Sequence, residues 1–361
     1  LVVEHDPDIM AIADHLIDMG PGAGAIGGAI VYQGDYPGLR KAGTVTGRGL
    51  AQPRPSGRER RAPHCWVTIT GASTHNLRDV DTRIPRGVMT VVTGVAGSGK
   101  SSLILGHLPQ AEPGTVVIDQ RPIRGSRRSN PATFTGMLDP IRRLFAKTTG
   151  TPIGLFTANS TGGCTECDGN GVIYTDLAFM DGVLAPCEAC GGRRFTPESQ
   201  AITIDGVSIA DVYEMSVDDA LDWFDSRPIV RVLMGLRDVG LEYLTLGQPL
   251  TSLSGGERQR LKLATHLGTP GHPIVLDEPT TGLHVADTAR LIALLDRLVD
   301  SGSTLVVIEH NLDVIAAADW IIDLGPDAGH HGGRVVFEGT PEKMIDHGTG
   351  HTATHLRRYL L

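Results

Sequence analysis

Aromatic residues and long apolar runs are both scarce in this sequence of 361 residues. Phe, Trp and Tyr together account for 4% of it. No run approaches the roughly 20 apolar residues that a membrane-spanning helix needs, so we expect no membrane partner. The first residues contain no charged-then-apolar leader, and we expect a cytoplasmic protein. With 40% apolar and 20% charged residues, the chain can bury a sizeable core, arranged in two lobes.

Net positive charge is also lacking. The 41 acidic residues outnumber the 32 basic ones, for a net charge of −9, which by itself does not indicate a nucleic-acid-binding protein. The basic residues are nevertheless concentrated in two stretches, one comprising Arg40, Lys41, Arg48, Arg54, Arg58, Arg60 and Arg61, and the other Arg121, Arg124, Arg127, Arg128, Arg142, Arg143 and Lys147. Such stretches either contact phosphates locally or form a solvated linker and a solvated helix face.

A phosphate-binding loop is indicated at residues 94–101, which read G-V-A-G-S-G-K-S. The loop follows a predicted strand at 89–92 and precedes a helix predicted to open at Leu103, which is the context that such a loop requires. Glycines let backbone N–H groups face the phosphates, and the helix N-terminus adds a favourable dipole. We expect Lys100 to reach the β- and γ-phosphates and Ser101 to ligate Mg²⁺. The predicted ATP-contacting residues of this segment are Gly94, Gly97, Gly99, Lys100, Ser101 and Ser102.

Two carboxylates follow a second apolar strand, predicted at 273–276. We expect Asp277 to hold Mg²⁺ through water and Glu278 to polarise the attacking water; the alternative is an acidic strand end that caps the next helix.

His310 follows another apolar strand at 304–308 and is a candidate sensor of the γ-phosphate, the alternative being an ordinary core histidine. With a helix across 285–299, the alternation of strands and helices predicts a largely parallel sheet covered on both faces.

Four of the five cysteines form two close pairs. Cys164-x2-Cys167 and Cys187-x2-Cys190 are separated by nineteen residues, and each pair is followed by glycines. Two such turns form a tetrahedral four-thiolate site, and a site of four soft ligands favours structural zinc. A redox or disulfide role is the alternative. We expect the metal to hold together a small module at 164–190, whose loss would unfold that module rather than abolish ATP binding.

The first 34 residues repeat a segment near the end of the chain. Residues 2–34 match residues 307–339 at a constant offset of 305, so that His5 corresponds to His310 and Asp18 to Asp323. A match without gaps over this length indicates two copies of one module end. We therefore interpret the chain as the C-terminal part of a longer tandem protein, or as a truncated reading frame.

The segment Leu253-Ser254-Gly255-Gly256-Glu257-Arg258-Gln259-Arg260 resembles the signature motif of ABC ATPases. The resemblance implies that Ser254, Gly255 and Gly256 contact a γ-phosphate held by the phosphate loop of another module. It also implies that Gln120 is the glutamine of the family's Q-loop. The implied fold is α/β: an ABC-type P-loop ATPase with a helical signature lobe and an inserted four-cysteine zinc module.

Nearly the whole chain resembles a particular family, the UvrA proteins. The motifs that carry this resemblance are R-S-N-P-A-T-F-T-G at 128–136, the four cysteines, G-Q-P at 247–249, L-D-E-P-T-T-G-L-H at 276–284 and E-H-N-L-D-V-I at 309–315. The resemblance implies an ATPase without nuclease activity of its own that recognises damaged or distorted double-stranded DNA in nucleotide excision repair. It further implies dimerisation and a helicase-like partner, UvrB. The implied cofactors are ATP, Mg²⁺ and Zn²⁺.

DNA recognition of this kind reads the shape of the duplex rather than its sequence. The chain suits it, because it has arginines that can bind phosphates and few aromatic residues that could stack on bases. The candidate contacts to the DNA backbone are Arg128, Ser129, Asn130, Arg142, Arg143 and Lys147. The expected organisation is residues 1–35 as the end of a first ABC module, 36–62 as a basic Gly/Pro linker, 63–125 as the P-loop part of a second module, 126–235 as the inserted signature lobe with the zinc module, 236–345 as the part from the signature to His310, and 346–361 as a tail.

Two departures from the UvrA pattern affect these expectations. The approach to Cys164 is short and uncharged, which weakens the case for DNA contact there. The phosphate loop and signature of the first module, and the region that binds the helicase partner, are not in this sequence, so two composite ATP sites cannot form within it. A drug self-resistance ATPase similar to UvrA, and a remnant acting as a zinc-bearing interaction module, are the alternative functions.

Overall fold

The structure is a computed structural model that describes residues 1–21, 27–52, 59–123, 125–126, 128–177, 180–267 and 271–360. Arg54, Arg58, Arg124 and Arg127, which belong to the two basic stretches, lie outside the described residues. The chain folds into two compact units. The first combines Leu1–Gln120 with His266–Leu361, and the second is Arg121–Thr265. The domain boundaries expected from the sequence stay predictions.

The chain begins with a short β-hairpin flanked by helices. Its elements are α1 (Pro7–Ala11), β1 (Leu16–Gly20), β2 (Ala29–Gly34), α2 (Tyr36–Leu39) and α3 (Val45–Ala51). The last two helices lie in the segment 36–62, which was predicted to be a basic Gly/Pro linker. They form because Asp35 and Thr44 accept hydrogen bonds from backbone N–H groups in the first turn of each helix, which stabilises a helix start. Leu39 is buried and fixes α2 in place.

The phosphate-loop region follows. Its elements are β3 (Trp66–Ala72), β4 (Val80–Pro85), β5 (Met89–Gly94), a π-helical turn (Ser102–His107), α4 (Leu108–Ala111) and β6 (Val116–Ile118). The helix predicted to open at Leu103 thus begins as a π-helical turn. Pro109 has no backbone N–H to continue a regular α-helical ladder, and α4 ends two residues later.

The second unit is largely helical. Its elements are α5 (Pro131–Phe134), α6 (Leu138–Thr149), β7 (Val172–Leu177), β8 (Met180–Pro186), α7 (Pro197–Ala201), β9 (Thr203–Ile204), β10 (Val207–Ser208), α8 (Ile209–Glu214), α9 (Val217–Trp223), α10 (Arg227–Asp238) and α11 (Gly255–His266). The end of α11 coincides with the boundary between the two units. Strands β7 and β8 form an antiparallel hairpin between the two cysteine pairs.

The chain then completes the first unit. The remaining elements are β11 (Ile274–Asp277), α12 (Val285–Asp300), β12 (Leu305–Ile308), α13 (Leu312–Ala317), β13 (Trp320–Gly325), β14 (Arg334–Gly339), α14 (Pro341–His347) and α15 (His351–Leu360). Within the described ranges, no helix combines the length and the apolar character needed to cross a bilayer.

A six-stranded sheet organises the first unit. Its order is β14-β13-β5-β12-β11-β6, with β14 antiparallel to β13 and the other neighbours parallel. Val92, Val306 and Ile322 from this sheet are buried in one apolar cluster with Ile69 of β3 and Leu103 of the π-helical turn. The predicted α/β fold with a largely parallel sheet is confirmed. The phosphate-loop strand β5 lies between β13 and β12. Because the loop follows the last residue of β5, it emerges at the carboxyl edge of the sheet.

The two copies of the repeated sequence form the same hairpin. Residue Leu16 pairs with Gly34 in β1–β2, and Ile321 pairs with Gly339 in β13–β14. Both hairpins also shift register at the same place, after Asp18 in the first copy and after Asp323 in the second. Their surroundings differ. Strand β13 is buried beside β5, whereas side chains of β1 are exposed; Met19, for example, is 59% exposed.

Candidate functional site

The phosphate loop leaves β5 in a backbone conformation that its glycines make possible. Gly94, Gly97 and Gly99 have φ angles of 131°, 75° and 108°, a region that favours glycine. A Cβ atom at Gly94 would lie 2.1 Å from the carbonyl oxygen of Leu324. The glycine at this position is therefore required both by the turn and by the close approach of β13.

A neighbouring segment holds the loop in shape. The carbonyl oxygen of Gly97 accepts hydrogen bonds from the side-chain amide of Asn76, at 3.0 Å, and from the backbone N–H of Gly329, at 3.0 Å. The carbonyl of Ser98 accepts a third from Gly333, also at 3.0 Å. These bonds tie the carbonyls of Gly97 and Ser98 to neighbouring segments, and an anion bound by the loop needs its N–H groups rather than its carbonyls.

Lys100 is buried and lies against its own loop. Its Nζ donates hydrogen bonds to the carbonyl oxygens of Gly94, at 2.8 Å, and Val95, at 3.1 Å. Burial lowers the pKa of Lys100, and the negative charges of nearby carboxylates oppose that shift. Those carboxylates belong to Glu278, Asp323, Asp277 and Glu309. The ammonium group is thus held among acidic groups at the carboxyl edge of the sheet. Ser101 is exposed, and Ser102 contacts His75, with 3.2 Å between Oγ and Nδ1.

Asp277 ends β11, and Glu278 turns the chain away from the sheet. Glu278 has a φ of +49°, which is uncommon for a residue with a side chain. Its backbone N–H donates to Ile308, and its carbonyl accepts a hydrogen bond from the side-chain amide of Gln120 at 3.2 Å. The Glu278 carboxylate is 44% exposed, and its Oε1 lies 4.0 Å from Nδ1 of His310. The structure therefore brings Gln120, Glu278 and His310 together.

His310 is not a core histidine, since its side chain is 66% exposed. The residue before it, Glu309, is fully buried and organises the edge of the sheet. One of its carboxylate oxygens accepts hydrogen bonds from the N–H, at 2.9 Å, and the hydroxyl of Thr280. The other accepts from the N–H groups of His310, at 2.8 Å, and Asn311, at 3.0 Å. Glu309 thereby positions the segments that carry Glu278 and His310.

The predicted signature segment forms the start of α11 in the second unit. The backbone N–H of Ser254 donates to the Glu257 carboxylate at 2.6 Å, and the N–H of Glu257 donates back to the Ser254 hydroxyl at 3.2 Å. This reciprocal cap fixes the first turn of the helix. Tyr243 also donates to Glu257, at 2.6 Å. Burial acts to raise the pKa of Glu257, but these hydrogen bonds outweigh it and the pKa is lowered. Gly255 and Gly256 then supply the first N–H groups of the helix, where the dipole favours an anion.

The four cysteines of the two pairs meet in the second unit. All four are buried, and their sulfur atoms lie within 4.8 Å of one another. The distances from Cys164 to Cys187 and from Cys167 to Cys190 are 3.9 and 3.8 Å. These are too long for a disulfide, which needs about 2.05 Å. They fit a tetrahedron around one metal ion, since bonds of about 2.3 Å to the metal place sulfur atoms about 3.8 Å apart.

The two cysteine turns have the same construction. In the first, the N–H of Gly169 donates to the carbonyl of Cys164, and in the second, Gly192 donates to Cys187, both at 3.0 Å. Both glycines have positive φ angles, 66° and 81°. In addition, the N–H of Gly171 lies 3.2 Å from the sulfur of Cys167. The site can hold a metal that prefers sulfur ligands, and it leaves no position for a substrate because all four ligands come from the protein.

The candidate DNA-contacting residues separate into three environments. Arg143 and Lys147 are exposed one turn apart on α6. Arg128, Ser129 and Arg142 are half-buried. Asn130 is buried, and its side chain caps α5 by accepting a hydrogen bond from Thr133 at 2.9 Å. Asn130 therefore stabilises the start of α5, and its contact to DNA stays a prediction.

Three residues of these sites were not singled out from the sequence. Asp323 is buried beside the phosphate loop, Glu309 positions the strand ends, and Arg194 is buried next to the second cysteine pair. The internal repeat contained a signal for the first two, because Asp18 and Glu4 occupy the equivalent positions. For Arg194 the sequence offered only its place just after the glycines that follow Cys190.

Comparison with known proteins identifies the class. A model of the ABC transporter family matches residues 77–281, more than half of the chain, and the chain belongs to this family of ATP-binding cassettes. Its sequence is similar to UvrABC system protein A. It is 45% identical over 397 aligned residues to that protein of Aquifex aeolicus, covering 100% of this chain and 43% of the relative. It is 46% identical over 381 residues to that of Thermus thermophilus, covering 95% of the chain and 40% of the relative.

The fold agrees with the sequence similarity. The crystal structure of UvrA2 from Deinococcus radiodurans matches with a TM-score of 0.93 and 44% sequence identity, covering 99% of this chain and 48% of that one. The resemblance to the UvrA family that the motifs indicated is confirmed. The chain spans less than half the length of each of these relatives.

Proposed function

We propose that this chain supplies an ATP-binding and ATP-hydrolysing module of a UvrA-type protein that recognises damaged or distorted duplex DNA. The observation that carries the proposal is the grouping of Lys100, Gln120, Glu278 and His310 at one edge of the sheet. The residue types and their grouping support ATP hydrolysis of the ABC type. The similarity to UvrABC system protein A over the whole chain supports the DNA-repair context.

Within this proposal, Lys100 binds the β- and γ-phosphates, and the loop N–H groups bind the remaining phosphate oxygens. Ser101 would ligate Mg²⁺ and Asp277 would hold it through water, and the bound ion would neutralise charge on the phosphates. Glu278 orients the attacking water, and Gln120 fixes the backbone of Glu278 through its hydrogen bond. His310 lies 4.0 Å from Glu278 and contacts the γ-phosphate. The capped start of α11 brings Ser254, Gly255 and Gly256 to a phosphate held by another module.

The four-cysteine site is proposed to hold structural zinc, because four buried thiolates with tetrahedral spacing suit that ion. DNA binding is assigned to Arg143 and Lys147 on the exposed face of α6, together with Arg128, Ser129 and Arg142. We further propose that the whole protein is cytoplasmic, acts as a dimer and passes the damaged site to a UvrB-like helicase partner.

The ATPase part is tested by measuring ATP binding and turnover in the intact chain over a range of protein concentrations. Lys100→Ala should abolish nucleotide binding. Glu278→Gln should keep binding but reduce turnover by about a hundredfold or more, as expected for loss of a residue that activates water. Lys343→Ala and Glu198→Gln, both exposed and remote in sequence from the site, should behave like the unchanged protein. Unchanged turnover in Glu278→Gln would refute the assignment.

The DNA part is tested by comparing binding to lesion-bearing and undamaged duplexes at one stated salt concentration. Preference for the lesion supports excision repair. Equal affinity for both, with ATP-dependent release of an intercalated drug, would instead establish a self-resistance ATPase. Binding to neither duplex, with no turnover after a first module is added, would show a zinc-bearing interaction module.

A further inference from the structure

A cavity of about 170 Å³ lies within the second unit. Its charged lining residues are three arginines that come from separate parts of the chain: Arg128 precedes α5, Arg142 lies on α6 and Arg194 follows the second cysteine pair. Tyr213 of α8 and Ser129 also contribute to the lining. No carboxylate is among the lining residues that the structure describes. A cavity with three cations and no acidic lining residue has a strongly positive potential.

Arg194 is the most deeply buried of the three cations. The residue is 8% exposed, and burial lowers the pKa of its guanidinium. One terminal nitrogen donates a hydrogen bond to the carbonyl of Gly247 at 2.8 Å, and the guanidinium lies 5.7 Å from the ring centre of Tyr213. Two interactions thus fix its orientation. A guanidinium has five N–H donors, so these interactions leave donors for a ligand.

Arg142 is held in a similar way. Its Nε donates to the carbonyl of Phe156 at 3.2 Å, and a terminal nitrogen lies 3.2 Å from Asp139. Asp139 is 69% exposed, whereas the Arg142 side chain is only 17% exposed. Water therefore screens the charge of Asp139. The ion pair compensates little of the positive charge inside the cavity.

Burying a cation is costly unless an anion accompanies it. Of the three arginines only Arg194 is buried, and the thiolates of Cys167 and Cys190 compensate part of its charge. Arg128 and Arg142, which are half-buried, bring two further cations to the same cavity. Arginine is the residue best suited to bind phosphate, because its planar N–H groups match two phosphate oxygens at once. The hydroxyl of Ser129 adds a neutral donor to the lining. A molecule of liquid water takes up about 30 Å³, so the cavity has room for a tetrahedral oxyanion.

We propose that this cavity binds one phosphate group through Arg128, Arg142 and Arg194. The phosphate group belongs either to the DNA backbone, in which case the inference rests on the proposed DNA binding, or to a free phosphate compound. Arg142 and Arg194 form the fixed inner part of the site, while Arg128, half-exposed before α5, closes it from outside.

The experiment uses inorganic phosphate as the probe and Lys100→Ala as the background, because the nucleotide loop itself binds phosphate. Phosphate binding to the full chain is measured by equilibrium dialysis. Arg142→Gln should weaken it about tenfold or more, since a hydrogen bond to a charged group contributes about 1.5–3 kcal/mol. Arg231→Gln, an exposed arginine of α10, is the matched control and should leave it unchanged.

A second variant removes no charge. Ala158 lines the cavity and is 8% exposed, so Ala158→Leu should occupy part of the space and weaken phosphate binding to a similar extent. Absence of phosphate binding in the Lys100→Ala background would overturn the proposal. So would full binding in both Arg142→Gln and Ala158→Leu.

The source of the phosphate group follows from a parallel titration with duplex DNA. If Arg142→Gln and Ala158→Leu weaken DNA binding together with phosphate binding, the group belongs to the DNA backbone. If they weaken phosphate binding and leave DNA affinity unchanged, the cavity serves a free phosphate compound. A chain that binds phosphate in the cavity but no DNA at all would refute the proposed DNA binding while leaving the cavity proposal intact.

Discussion

The buried carboxylate of Glu309 accepts hydrogen bonds from both the backbone N–H and the hydroxyl of Thr280. Its second oxygen accepts two more, from the backbone of residues 310 and 311. Glu309 directly follows β12, and Thr280 follows the neighbouring strand β11, so a single side chain joins the two segments that flank the candidate nucleotide site. This junction fixes the backbone close to Glu278 and at His310, whose side chains lie 4.0 Å apart.

Replacing Glu309 should therefore cost stability before it affects chemistry. Glu309→Ala leaves four donors without their acceptor in a fully buried position. Since each unsatisfied buried donor costs about 1–3 kcal/mol, we expect a loss of about 3 kcal/mol or more, measured by thermal unfolding. Glu278→Gln is the matched control, because its 44% exposed side chain should change unfolding by less than about 0.5 kcal/mol. Equal melting temperatures for Glu309→Ala and the unchanged protein would contradict this role.

Asp323 gives the phosphate-loop region a dependence on pH. Burial raises the pKa of Asp323 to about 6, despite a hydrogen bond from Thr352 at 3.0 Å and the nearby charge of Lys100. The folded protein therefore binds a proton more tightly than the unfolded chain does. The resulting stabilisation is complete below the unfolded pKa, about 3.9, and disappears as the pH rises through about 6.

Asp323→Asn removes this titration but keeps an oxygen that can accept from Thr352. From pH 5 to pH 8, the unchanged protein should lose about 1.4 kcal/mol of stability relative to the variant. The unfolding midpoints of both proteins are measured at the two pH values. Comparing the two proteins cancels the contribution of the other titrating groups, which both share. Asp346→Asn, at an exposed position, should show no such difference. A constant offset between Asp323→Asn and the unchanged protein at both pH values would refute the shift.

The local parts of the nucleotide site were predictable because a short segment of sequence determines each of them. The glycines of residues 94–99 specify a loop conformation, and the apolar run before Asp277 specifies a buried parallel strand. Spacing likewise predicted that Cys164, Cys167, Cys187 and Cys190 lie together. In each case the residues that determine the feature are only a few positions apart in the sequence. The loop and Asp277 also lie close together, because the carboxyl ends of parallel strands meet at one edge of a sheet.

The remaining parts depend on contacts between distant residues. Arg194 reaches Gly247 and Tyr213 only after the second unit has folded, and Glu309 becomes a junction only because β12 lies next to β11. Neither relation leaves a pattern in local sequence. The helices α2 and α3 are a different case. Their capping residues, Asp35 and Thr44, are local signals of a helix start. The glycine and proline content of the segment favoured a linker instead, so the two helices were not predicted.

A hydrogen-bond chain connects the first hairpin to the start of α12. His284 Nδ1 accepts from the N–H of Ala286 at 3.2 Å, so its Nε2 carries the proton that it donates to the Thr46 hydroxyl at 2.9 Å. Thr46 in turn donates to Asp18 at 2.7 Å. Burial lowers the pKa of His284, which agrees with a neutral imidazole in this chain of bonds.

Thr46→Val keeps the shape of the side chain and breaks both bonds. It should lower stability by about 1–3 kcal/mol, because partly buried groups on His284 and Asp18 lose their partner. Thermal unfolding above pH 7, where His284 is neutral, measures the effect. Thr265→Val, an exposed hydroxyl on α11, should change stability by less than about 0.5 kcal/mol. A similar small change for Thr46→Val would show that the bonds contribute nothing.

The cysteine site provides the test with the largest expected effect. Structural zinc contributes about 10 kcal/mol or more to the folding of its module, so Cys167→Ser should remove both the metal and the local fold. Metal analysis should find one zinc per unchanged chain and almost none in the variant. Hydrogen exchange should become fast across residues 164–192 and remain slow in β5, with ATP binding retained. Cys65→Ser, which changes an exposed cysteine outside the cluster, should keep the metal and the slow exchange. Slow exchange across 164–192 in metal-free Cys167→Ser would show that packing alone holds the module.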